Sequence, residues 1–309
     1  MAASKKSVVP KLFLHLFLWL SVETNAQQHA ILPSMVYHPE RVRAVIFSEA
    51  GIGLLASTGL YFLWYRKFPK SRFHFFNDNS EWLQMDKVGH ATTAYTISVV
   101  QNDLMRWCGV RPGTSIAIGA ATGLAYMSII EVMDGFSTHW GFSKGDMLAN
   151  IAGTAIFATQ QKWWGQQRIA LKFSFHLSPY AQFNPKELGD NFFSRIIKDY
   201  NGQTYWLSFN IRSFLPVKSD FPPWANLAVG YGAEGMTGGT SNPSEVDGKP
   251  IPSFTRYRQF YLSPDADLYR INSVPAYNNL AYLFHTFKIP APALEYNSKK
   301  KFQLHGLYW

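Results

Sequence analysis

Three short stretches carry the polar side chains whose types and spacing could do chemistry in an otherwise apolar chain. In "DKVGH" (86–90), Asp86 and His90 are i and i+4, with Lys87 beside them, so a helix would put the pair on one face. Glu131 and Asp134 are i and i+3 in "EVMDG", and Asp146 and Asn150 are i and i+4 in "SKGDMLAN", which opens on Ser143. If three helices bring these faces together, His90, Glu131, Asp134 and Asp146 offer the nitrogen and oxygen donors of a divalent-metal site in a helical bundle. The alternative chemistry is acid/base work by His90, Glu131 and Asp146, with one carboxylate orienting the imidazole while another holds a substrate. Asp86, Lys87, Asp134, Ser143 and Asn150 would complete such a polar cluster.

The same residues also have an architectural reading. Ser143 followed by Asp146 is close to a capping box, and a carboxylate in the first turn suits the helix dipole. Asn150 can bond a neighbouring helix, Asp86 can cap or pair with Lys87, and His139 falls in a loop with Trp140. Glu131 is the exception. It follows "AYMSII" directly, and a buried carboxylate is costly unless paired, which makes His90 its expected partner.

The elements that must position these groups change character near residue 166. Before it, four stretches have helical length: 44–65, 89–109, 114–130 and 146–164. The first has Glu49 as its only charge over 22 residues and is the best candidate for a spanning helix. The third is rich in Gly and Ala, which suits close helix packing. A soluble bundle with a very apolar interior is the alternative. After residue 166 apolar and polar residues alternate, as in Leu171, Phe173, Phe175 and again in Leu207, Phe209, Ile211, between turns rich in Gly, Pro and Asn. The expected fold is therefore α+β: about four apolar helices, then an antiparallel β unit forming a partial barrel or a sheet, with a long loop near 235–255.

Residues 1–26 have the basic start, apolar run and small-residue end of a secretory signal, which leaves a helical unit over 27–165 and a β unit over 166–309. The net charge of +9 comes without a Lys/Arg stripe on any evident helix. Anionic membrane headgroups are thus expected neighbours, and nucleic acid is not. The single cysteine, Cys108, excludes an internal disulfide.

"DKVGH", a Gly/Ala-rich helix ending in Glu131, and "GFSKGDMLANIAG" together resemble the YfiM-like group of predicted periplasmic lipoproteins of unknown function, and more distantly the VanZ-like membrane proteins. Asp86, Lys87, His90, Glu131, Ser143, Asp146, Asn150 and Gly153 carry the resemblance, over roughly residues 80–165. The chain departs from the lipoprotein pattern in having no cysteine directly after the signal, Cys108 lying far from it. The resemblance implies a bacterial cell-envelope protein, exported, membrane-associated and periplasm-facing, and it leaves inner and outer membrane open. It implies partners among membrane lipids or lipid-linked envelope precursors. Three roles follow from these readings: a structural or maintenance protein; a membrane-embedded enzyme, metal- or acid/base-dependent, acting on a lipid or lipid-linked substrate; and a small outer-membrane channel, suggested by the alternating strands.

Overall fold

The computed structural model describes residues 32–63, 65–270, 284–299 and 301–309; the expected signal, residues 1–26, lies outside them. Four long helices come first: α1 (Pro39–Leu63), α2 (Met85–Trp107), α3 (Pro112–Gly135) and α4 (Lys144–Trp164). Their ends are written in the sequence. Pro112 opens α3, Ser143 caps α4 by accepting a hydrogen bond from the Asp146 N–H, and Gly165 closes α4 with a φ of 66°.

Helix α2 is the centre of the helical unit. On α3 the buried residues Ser115, Gly119, Gly123, Met127, Glu131 and Gly135 recur every fourth position, a single stripe laid on α2. A methyl group at Gly119 would stand 2.6 Å from Ser98 O, and one at Gly153 of α4 would stand 1.9 Å from Ala91 O. Backbone thus meets backbone on both sides of α2, and Tyr95 and Val99 join Phe157 in the core between. Helix α1 differs. It touches the others through Val45 against Met105 and Cys108 and through Tyr126, whose hydroxyl donates to Glu49 O, while Phe47, Ile52 and Leu54 stay exposed. The expected four-helix bundle is therefore three tightly packed helices with a fourth alongside. Among the described residues, α1 and α3 are long and apolar enough to cross a membrane by length and composition.

Six strands follow: β1 (Ile169–Phe175), β2 (Gln203–Asn210), β3 (Ala225–Glu234), β4 (Tyr257–Ala266), β5 (Ala291–Asn297) and β6 (Lys301–Tyr308). They pair antiparallel in chain order. The sheet curls: Lys288 N–H donates to Phe173 O at 2.9 Å, so the lead-in to β5 lies beside β1. The concave face holds Lys172, Trp206, Ser208, Tyr261 and Asp265, all buried, with a 2.7 Å ion pair between Lys172 and Asp265. Strand β5 escapes sequence reading because Pro290 and Pro292 break its pattern. Two short helices, Pro185–Leu188 and Phe192–Lys198, fill the β1–β2 connection and carry no periodic signal at that length. The loop near 235–255 is also more integrated than its composition suggests: Met236 is fully buried against Met85, Tyr200 and Ala233.

The close approach at α2 predicts a contrast between two glycines. Gly153→Ala forces α4 off α2 and should cost about 1–3 kcal/mol as overpacking does. Gly59→Ala, with nothing near its Cβ position, should be neutral or stabilising by up to about 1 kcal/mol. Thermal unfolding of the two variants checks this; equal shifts would contradict it.

Candidate functional site

The polar residues singled out above converge where α2 and α4 begin and α3 ends. Before α2 the backbone is unusual: Trp82, Leu83 and Gln84 have φ of 46°, 51° and 64°. Left-handed conformation costs about 1–2 kcal/mol per residue for a side chain with a Cβ. The β unit holds this turn in place. Trp82 N–H donates to Gly239 O at 2.8 Å, the Tyr231 hydroxyl donates to Leu83 O, and Arg258 donates to the Gln84 side chain. Two residues later come Asp86 and Lys87.

The Lys87 ammonium is the hub. It lies 2.8 Å from Asp78, 2.8 Å from Asp146 and 3.2 Å from Asp86, so one cation gathers a carboxylate from the preceding loop, one from α4 and its own neighbour. Gly145 makes the approach sterically open: a Cβ there would stand 2.1 Å from the Asn79 side chain and 3.1 Å from the Lys87 chain. Ser143 ties in the α3–α4 turn. Its hydroxyl donates to Asp78 at 2.6 Å and accepts from Asp146 N–H at 3.1 Å, while its own N–H donates to Glu131 at 3.0 Å.

His90 sits one turn further along α2. Its Nδ1 is 3.1 Å from Asn150 Oδ1 and 3.5 Å from Glu131 Oε1, and its Nε2 is 3.8 Å from Asp86. Glu131 is 1 % exposed, so the imidazole stands against a carboxylate sealed from water. Asp134 turns elsewhere and accepts from the Tyr65 hydroxyl at 2.7 Å. His139 leaves the cluster altogether, stacking on Phe68 and pairing with Glu187 at 3.3 Å. Tyr200, from the β unit, donates to Asp86 at 2.5 Å.

The charges around Lys87 push the two flanking aspartates in opposite directions. Burial pushes Asp146 up, and the nearby Asp86 and Asp78 carboxyls add to it against the pull of Lys87. Burial also acts to raise Asp86, but His90, Lys87 and the Tyr200 hydroxyl outweigh it and hold Asp86 below the usual carboxylate range. Burial acts to lower Lys87, yet Asp86, Asp146 and Asp78 together hold it well above the ordinary lysine value. Asp86 is thus the ionised partner, and Asp146 keeps its proton longer.

Two chemical uses fit this geometry. Asp86, His90 and Asp146 can each present a ligand atom, all within 4.8 Å of one another, to a divalent cation. A metal there would share the carboxylates with an ammonium already in contact with two of them, which raises its electrostatic cost. Without a metal, the network pairs Asp78, Asp86 and Asp146 with Lys87 and binds three helix ends to one loop and to the sheet, while Glu131 Oε1 and Asn150 Nδ2 stay buried without a hydrogen-bond partner. The sequence pointed to Asp86, Lys87, His90, Glu131, Ser143, Asp146 and Asn150. It missed Asp78, Tyr65 and Tyr200, because "FNDNS" reads as a turn and the tyrosines lie in aromatic-rich stretches.

Residues 74–162 match a family described as predicted periplasmic lipoprotein (DUF2279). The match spans less than a third of the chain and contains the cluster from Asp78 to Asn150, but not Tyr65, Tyr200 or the sheet. It supports an exported, envelope-associated protein of uncharacterised role. No curated protein and no solved structure matches the chain.

The opposed shifts have opposite consequences for stability. Asp86 is depressed, so its contribution is present above the ordinary aspartate range and is lost as pH falls below it. Asp146 is raised, so folding weakens as pH climbs above the ordinary aspartate range. Melting temperatures measured from about pH 2 to pH 9 should show Asp86→Asn flattening the acid limb and Asp146→Asn flattening the limb above the ordinary aspartate range. The reverse assignment would contradict this reading of the charges.

Proposed function

We propose that this is a non-enzymatic structural protein of the cell envelope, in which the cluster around Lys87 acts as a clasp and not as a catalytic centre. The observation that carries this reading is the three-carboxylate embrace of the Lys87 ammonium, which supplies internally the positive charge a metal would otherwise bring. The contacts of Ser143, Glu131 and Tyr200 extend that clasp from the helix ends to the sheet. The apolar, exposed flank of α1 and the outward side of α3 favour a seat against a membrane, with lipids as the neighbours of this protein. The family description agrees with an envelope role.

A second reading, a metal-dependent enzyme acting on a lipid-linked substrate, rests on the close set of Asp86, His90 and Asp146. Metal content separates the two. Full-length protein purified without chelators should hold far less than one equivalent of divalent metal, and His90→Ala should leave that unchanged. Lys87→Ala removes the internal cation, and millimolar Mn²⁺ should then raise the melting temperature of this variant more than that of the wild type. Near-stoichiometric metal in the wild type, lost in His90→Ala, would overturn the clasp reading in favour of the enzyme.

A further inference from the structure

The sheet is inverted in polarity. Its concave face buries an ion pair and a run of hydroxyls and amides, whereas its convex face is ordered rows of apolar side chains. Strand register defines those rows. Leu171, Leu207, Val229, Leu262, Leu294 and Leu304 stand opposite one another across all six strands. The next row, two residues along each strand, is Phe173, Tyr205, Tyr231, Phe260, Tyr296 and Phe302, aromatic throughout. Tyr205 and Tyr231 pack into the cluster of Trp82, Leu83 and Met85, and Phe260, Tyr296 and Phe302 are exposed. Leu171 packs against the helical core, but the aliphatic row from β2 to β6 is 41 to 75 % exposed.

One rim of this face is basic. Just beyond the aromatic row stand Lys299 and Lys301, with the Lys299 ammonium 3.8 Å from the Tyr257 ring centre. At the opposite end of the strands stand Phe214 and Trp224, both exposed, with Arg212, Lys218 and Asp220 in the same connection. An aliphatic band bordered by an aromatic row and then by cations is matched in chemistry by acyl chains, the interfacial zone and anionic headgroups, in that order. A second copy of the chain would answer the apolar band but would bring the same lysines to the rim.

We infer that the exposed part of the convex face, the aliphatic row from β2 to β6 together with Phe260, Tyr296 and Phe302, lies against the acyl chains of an anionic membrane. Among the described residues, the far edge of β6 pairs with no strand, and hydrocarbon does not tolerate unpaired backbone. The sheet therefore beds into the outer part of one leaflet instead of crossing the bilayer. This inference rests on strand register and rim charge and does not depend on how Lys87 is used.

The test places single cysteines in the full-length protein at Leu262 and Leu294 on the face and at Asp247, the exposed tip of a small hairpin. The buried Cys108 leaves the wild type as the labelling control. Each variant carries an environment-sensitive fluorophore and is reconstituted with phosphatidylcholine/phosphatidylglycerol vesicles. At Leu262→Cys and Leu294→Cys, emission should shift to the blue. Lipids brominated near the headgroup end of the acyl chain should quench it more than those brominated near the methyl end, with aqueous iodide ineffective. Asp247→Cys should show the reverse. Iodide quenching at the two face positions would overturn the inference. So would shielding from both quenchers in a protein that sediments as a dimer, because that outcome assigns the face to a second copy.

Discussion

One ammonium group organises the part of the molecule where its elements meet. Among the described residues, Lys87 is the only lysine or arginine in contact with Asp78, Asp86 and Asp146. Without it three carboxylates would face one another at the junction of two helix starts and a loop. Removing one partner of a buried ion pair typically costs about 3–5 kcal/mol, far more than the pair itself contributes, because the charges left behind are uncompensated. The gathering of Asp78, Asp86 and Asp146 at this junction is therefore conditional on a charge at Lys87.

The same junction couples the helical unit to the sheet. The left-handed turn at Trp82, Leu83 and Gln84 would relax if it were free, and three hydrogen bonds from the β unit keep it where Asp86 and Lys87 can reach their partners. Tyr200 completes the link by donating to Asp86. Strain of this kind persists only where surrounding structure over-determines it. Position of the clasp is thus set in part from outside the segment that supplies most of its residues: the family match over residues 74–162 contains the charged groups but not Tyr200, Tyr231, Gly239 or Arg258.

Much of this was legible in the sequence. The i, i+4 spacing of Asp86 and His90, the glutamate after an apolar run and the Ser143–Asp146 cap all report short-range geometry, which periodicity encodes directly. The strict alternation around Leu171 and Leu207 likewise announced strands. What the sequence did not disclose depends on long-range contacts. Asp78 looks like any turn aspartate until α4 brings Asp146 beside Lys87. Strand β5 is masked by its prolines, and Met236 looks like part of a polar loop until Met85 covers it. Alternation also reads the same whichever face is buried, so only the register revealed that this sheet hides its polar residues and displays its leucines.

The most direct test of the account is a double-mutant cycle between Lys87→Met and Asp78→Asn, read by chemical denaturation of the full-length protein at neutral pH. The two residues are nine positions apart in sequence and 2.8 Å apart in space. If the ammonium holds the junction together, the coupling energy should fall in the range of about 0.5–3 kcal/mol found for residues within one charged network. Losses that add to within about 0.5 kcal/mol would contradict it, because the lysine and the aspartate would then act independently and the clasp would have no hub.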